Sequence, residues 1–135
     1  MRYPRMLAGA AIAGALWLGG QAPIAAHHSL AAEFDVARTV TISGTITKME
    51  WKNPHSWLYV ESKDAQGRVT SWAIEFGAPN ALLRRGWRRD DLPPSLQVTV
   101  TGYPALDKSN TINALDVKLP DGRTLFTGNA PGSNP

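Results

Sequence analysis

Five stretches of the chain alternate apolar and polar residues with the period of a half-buried strand, and turn-forming residues separate them. The first runs from Thr39 to Trp51. There Val40, Ile42 and Ile46 alternate with Thr41, Ser43, Thr45 and Thr47, and Gly44 invites a bend or bulge. Asn53-Pro54 divides this stretch from Ser56 to Ser62, and Asp64-Ala65-Gln66-Gly67 divides that one from Val69 to Phe76. Three strands joined by such turns predict a meander. The period then changes: Pro79 stands early, Leu82 and Leu83 supply an apolar face, and Gly86 ends the run, so Ala81 to Gly86 predicts one short helix. Beyond Pro93-Pro94-Ser95 the alternation returns from Leu96 to Tyr103, through Leu96, Val98 and Val100. Thr111 to Leu119 supplies a fifth strand that runs to the Asp121-Gly122 turn, with Arg123 to Thr127 as a short extension.

Three strands, one helix and two strands follow in the order of an OB-fold, a small five-stranded Greek-key barrel with its helix between strands three and four. The expectation is therefore a mostly β, OB-like barrel. An open sandwich made from a meander and a C-terminal hairpin uses the same elements and is the alternative.

The N-terminus follows a different pattern. Met1 to Arg5 carries two positive charges, Met6 to Gly20 is apolar without a charge, and Gln21 to Ala26 is a short tail, which is the order of a secretory signal. Ile24 at position −3 and Ala26 at −1 place the cut after Ala26, whereas a cut after Ala25 would put Pro23 at −3. The apolar run is short for a membrane span, so an uncleaved anchor helix is the weaker reading and no integral membrane segment is expected after cleavage. The expected organisation is a leader at 1–26, one OB-like domain at 27–128 and a loose tail of Gly, Pro, Asn and Ser at 129–135, in a periplasmic or secreted protein.

Charge adds little to this picture. The whole chain of 135 residues carries a net +3, but Arg2 and Arg5 belong to the leader, and the remainder is close to neutral. A polyanion-binding protein usually carries a larger excess or a clear basic stripe, so nucleic acid is disfavoured as a partner. Cysteine is absent. Any metal must then be held by imidazole, carboxylate, amine or backbone groups.

Cleavage after Ala26 makes His27 the first residue, followed by His28. A terminal histidine chelates a divalent ion through its α-amine and its own ring, and one more imidazole completes a site that suits copper(II). His55, just after Asn53-Pro54, is the third histidine of the chain and the one that a distant segment can contribute. The metal candidates are thus His27, His28 and His55. Against this stands the plain reading that a histidine after Asn-Pro caps a turn.

A second candidate surface is aromatic and basic. Asn53 lies between Trp51 and Trp57, and Arg84, Arg85 and Trp87 cluster at the helix, with Arg88 and Arg89 beyond. Such residues could dock a small ligand, a partner protein or an envelope polymer. The competing reading makes the tryptophans barrel packing and the arginines a solvated face, with Asp90 and Asp91 neutralising part of it. Catalytic constellations are not evident. Ser29, Ser56 and Ser71 lack a nucleophile-elbow context, and Glu75, expected to point inward, has no carboxylate mate at matched spacing.

The string His27-His28-Ser29-Leu30-Ala31-Ala32-Glu33-Phe34-Asp35, then Gly44, Trp51-Lys52-Asn53-Pro54-His55 and Leu82-Leu83-Arg84-Arg85-Gly86-Trp87, resembles a bacterial family of small exported proteins of unknown function. The similarity spans nearly the whole chain after the leader. Leu96 after Pro94-Ser95 departs from the family's usual turn, which touches only a loop. The resemblance implies export and the barrel, and it carries no activity.

Overall fold

The computed structural model describes residues 30–128; the expected leader, His27, His28 and the expected tail lie outside them. The elements in chain order are α1 (Leu30–Glu33), β1 (Val40–Glu50), β2 (Trp57–Lys63), β3 (Val69–Glu75), α2 (Pro79–Arg84), β4 (Gln97–Pro104), β5 (Thr111–Lys118) and β6 (Thr124–Phe126). The meander forms as expected, with β1, β2 and β3 antiparallel neighbours. β4 returns to the other edge of β1, and β5 pairs antiparallel with β4. β5 then lies parallel to β3 through Ala73↔Thr111, Ile74↔Ile112 and Glu75↔Asn113. That pairing closes a five-stranded barrel in the order β1-β2-β3-β5-β4, an OB-type cylinder and not an open sandwich. β6 extends it beside β5.

β1 serves two partners. Val40 to Thr45 pairs with β4, and Thr45 to Glu50 pairs with β2, so the strand must turn from one wall of the cylinder to the next. Gly44 stands at the changeover, where a Cβ would run into the carbonyl oxygen of Glu61 and the side chain of Val60. The bulge expected at Gly44 falls slightly later, between Ile46 and Lys48, and a second lies between Thr101 and Gly102. Inward positions fill the barrel with Ile46, Leu58, Val60, Ile74, Val100 and Val117, each almost completely buried, and Leu82 of α2 joins that cluster. Burial on that scale stabilises by about 1.5–3 kcal/mol per large side chain.

Gly102 is as tightly placed as Gly44. A Cβ there would meet the Asn113 carbonyl oxygen, the Ile112 side chain and the Cα of Ala114, two of them backbone atoms that cannot step aside. Gly102→Ala should therefore cost about 1–3 kcal/mol in urea unfolding. Gly77→Ala, where no atom lies within 4 Å of the new methyl, should stay within about 0.5 kcal/mol.

The segment before β1 shows no alternation that predicts structure, yet it is ordered against the barrel. Phe34 forms an antiparallel bridge with Ala105, the Asp35 amide donates to the Pro104 carbonyl at 2.9 Å, and the Leu106 amide donates to the Glu33 carbonyl at 2.9 Å. α1 is thereby fixed beside the end of β4. No helix among the described residues is long and apolar enough to cross a membrane.

Candidate functional site

His55 sits near the end of the β1–β2 loop, residues 51–56, which contains a cis Asn53-Pro54 peptide bond. Two backbone hydrogen bonds pin that end: the Ser56 amide donates to the Gly77 carbonyl at 3.1 Å, and the Phe76 amide donates to the Ser56 carbonyl at 2.9 Å. The effect is to continue the β2–β3 ladder one step and to hold His55 beside the end of β3. Its Nδ1 contacts Glu75 Oε1, while about half of its side chain remains exposed.

Glu75 does not point into the barrel as the sequence led one to expect. Its neighbours Ile74 and Phe76 belong to the core, so the alternation of the strand turns Glu75 to the outer face. It is nevertheless only 5 % exposed. Register places it in a row across four strands, Trp57↔Glu75↔Asn113↔Tyr103, in which Asn113 and Tyr103 are also buried. Burial pushes the Glu75 carboxyl above its ordinary range, the charge of His55 opposes the rise, that of Glu33 adds to it, and a hydrogen bond from Asn113 opposes it. Glu33, on α1, is thus within electrostatic reach of the carboxylate that holds His55. Among the described residues no group of three or more His, Cys, Asp or Glu side chains could hold a metal ion.

The aromatic and basic candidates divide. Trp51 is half-buried, meets Trp87 edge-on at 6.5 Å between ring centres, and carries the Arg89 guanidinium over its face at 5.4 Å. Trp87 lies in the core and not on the surface: it is 2 % exposed, packs edge-on against Phe76 at 5.1 Å, and donates its indole N–H to the Phe126 carbonyl at 3.0 Å. The physical reason is the short α2, which turns the chain at Gly86 so that the next residue drops into the barrel mouth beside Leu82. Trp57 is half-buried in the same row as Glu75; Asn53, Arg84 and Arg85 are exposed, and Arg85 leans back on the Ala81 carbonyl at 3.5 Å. Sequence reasoning missed Asn113, Tyr103 and Glu33. Only strand register brings the first two to Glu75, and no sequence periodicity encodes that.

Residues 16–113 match the profile of a family of unknown function, DUF6152. The chain belongs to that family. The match of this family member takes in His27, His28, His55 and Glu75 and extends to Asn113. No curated protein matches it. Among solved structures it is similar to the dimeric N-terminal domain of the PriB protein from Thermoanaerobacter tencongensis, at 18 % identity over 62 % of this chain and 96 % of that one, with a TM-score of 0.46.

Proposed function

We propose that the mature protein is an exported metal-binding module in which His27, His28 and His55 hold copper(II) or a similar divalent ion, with Glu75 orienting His55. The observation that supports this reading is the Nδ1 contact of a half-exposed imidazole with a buried carboxylate. Ligand histidines usually donate one ring N–H to a carboxylate, which fixes the tautomer and leaves the other nitrogen as the metal donor. In this reading Nδ1–H donates to Glu75, and Nε2 is the nitrogen left to bind. Glu33, on α1, lies within electrostatic reach of the same carboxylate. Nitrogen donors without thiolate suit copper(II).

The test combines intact mass with metal content of protein recovered from a native periplasm. Copper near one equivalent, a mass that begins at His27, and loss of the metal in His55→Ala are the expected results. Copper retained in His55→Ala would reduce the site to an N-terminal chelate without the barrel.

The second reading is a metal-free interaction module. It draws on the Arg89 guanidinium stacked over Trp51, with exposed Arg84, Arg85 and Arg88 on the adjoining segment. Metal-free protein from the periplasm, together with a partner protein or envelope polymer lost on Trp51→Ala or Arg89→Ala, would favour it.

A further inference from the structure

Apart from the histidine site, the outer face of the meander carries a groove of about 430 Å³, within the range of small-molecule sites. Its position follows from strand register. The row Lys48↔Tyr59↔Ala73↔Thr111 crosses β1, β2, β3 and β5, and Ala73 contributes only a methyl between larger neighbours, so the surface dips there. Tyr59, half-buried, forms one wall; Ser71 and, from the β4–β5 loop, Asn110 are exposed on the rim. Thr47 at the bulge donates to the Tyr59 carbonyl at 3.2 Å, and the Ala73 amide donates to the Asn110 carbonyl at 2.9 Å, so both sides of the groove are tied to the sheet. A rigid, partly apolar wall with neutral hydroxyl and amide groups at its edge is a formed site, not a gap between mobile loops.

The electrostatics select the ligand. Among the described residues Lys48 is the one cation lining the groove, and its ammonium is engaged: it contacts Glu50 and lies 5.8 Å from the centre of the Tyr59 ring. Lys52 meets the same carboxylate at 2.9 Å. The two lysines hold the Glu50 carboxyl at about 2, so it stays ionised at any ordinary pH, and the three groups together carry one net positive charge. One net charge, shared among two lysines and a carboxylate, falls short of the run of cations by which a single-stranded nucleic-acid groove neutralises its backbone. The rest of the lining includes aromatic surface from Tyr59 and Trp72, the Ala73 methyl floor, the Thr47 and Ser71 hydroxyls and the Asn110 amide, the complement of a sugar ring with its C–H face and its hydroxyls. In five-stranded barrels of this topology the β2–β3 face with its adjoining loops takes oligosaccharides as well as oligonucleotides.

We infer that the groove over Ala73, walled by Tyr59 and rimmed by Ser71 and Asn110, binds a neutral saccharide. The site lies two residues along β3 from Glu75 but shares no residue with the metal reading, so either can fail alone.

The experiment is an amide-shift titration of ¹⁵N-labelled protein with chitotetraose, cellotetraose, maltotetraose and, separately, an octathymidylate. One of the tetrasaccharides should shift the amides of Tyr59, Ser71 to Ala73 and Asn110, with affinity reduced at least about tenfold in Tyr59→Ala and retained in His55→Ala. Asn110→Ala, an exposed loop change, serves as the second variant should Tyr59→Ala fail to fold. Shifts with the oligonucleotide alone, shifts elsewhere on the barrel, or no shift with any of the three tetrasaccharides at millimolar concentration would overturn the inference.

Discussion

Trp87→Ala should lower the unfolding free energy by about 3–5 kcal/mol, the range for removing a large aromatic side chain from a core. The indole is 2 % exposed and takes part in two edge-on aromatic contacts, with Phe76 and Trp51. Such pairs add about 0.5–1.5 kcal/mol beyond area alone, and the indole N–H also ties β6 to the segment after α2 through the Phe126 carbonyl. Urea unfolding should show a lower midpoint with an unchanged slope, the sign of lost stability and not of a changed unfolded state. Arg84→Ala and Arg85→Ala, both at exposed positions, should stay within about 0.5 kcal/mol. A loss below about 1 kcal/mol for Trp87→Ala would contradict its core placement and return it to the docking surface.

On the proposed metal site, Glu75→Gln should weaken binding about 10–100-fold, the usual penalty for losing the carboxylate behind a ligand histidine, with His55→Ala weaker still. Glutamine keeps the shape and an acceptor oxygen, so a loss in the variant reports the charge. The same substitution has a second, metal-free readout. The folded state raises the Glu75 pKa, chiefly through burial, so between the ordinary carboxylate value and the raised one the native protein holds a proton that the unfolded chain has released. Stability then falls as pH rises through that window. The Gln variant should lose that component of the slope in apo protein, measured by urea unfolding across mildly acidic pH. Metal affinity has the opposite pH dependence, since imidazole must be neutral to bind, and should fall on acidification in both proteins. Unchanged affinity in Glu75→Gln would mean that His55 acts without Glu75 or does not act as a ligand. An unchanged stability slope would mean that Glu75 is not the buried carboxylate described here.

The barrel was legible in the sequence because each strand declares itself by local alternation and each turn by its residues. Val40 to Glu50, Trp57 to Lys63 and Val69 to Glu75 sit within a residue of their expected bounds, and the helix falls between β3 and β4, beginning two residues before the expected Ala81. The order of elements then restricted the topology to few solutions. Tertiary structure alone decided three other matters. Trp87 reads in sequence like Trp51, and only the turn at Gly86 sends one to the core and leaves the other half-buried beneath Arg89. Glu75 reads as an isolated inward carboxylate; the alternation of β3 turns it outward, the extended β2–β3 ladder brings His55 to it, and only the closure of β3 on β5 gives it Asn113 as a neighbour. Leu30 to Asp35 has no periodicity, and what orders it is hydrogen bonding to Pro104 and Leu106, some seventy residues away. Local propensity and period act over a few residues and can be read along the chain. Burial of a polar side chain, the partner of a histidine and the floor of a groove depend on which distant strands lie side by side, and that is set by closing the barrel.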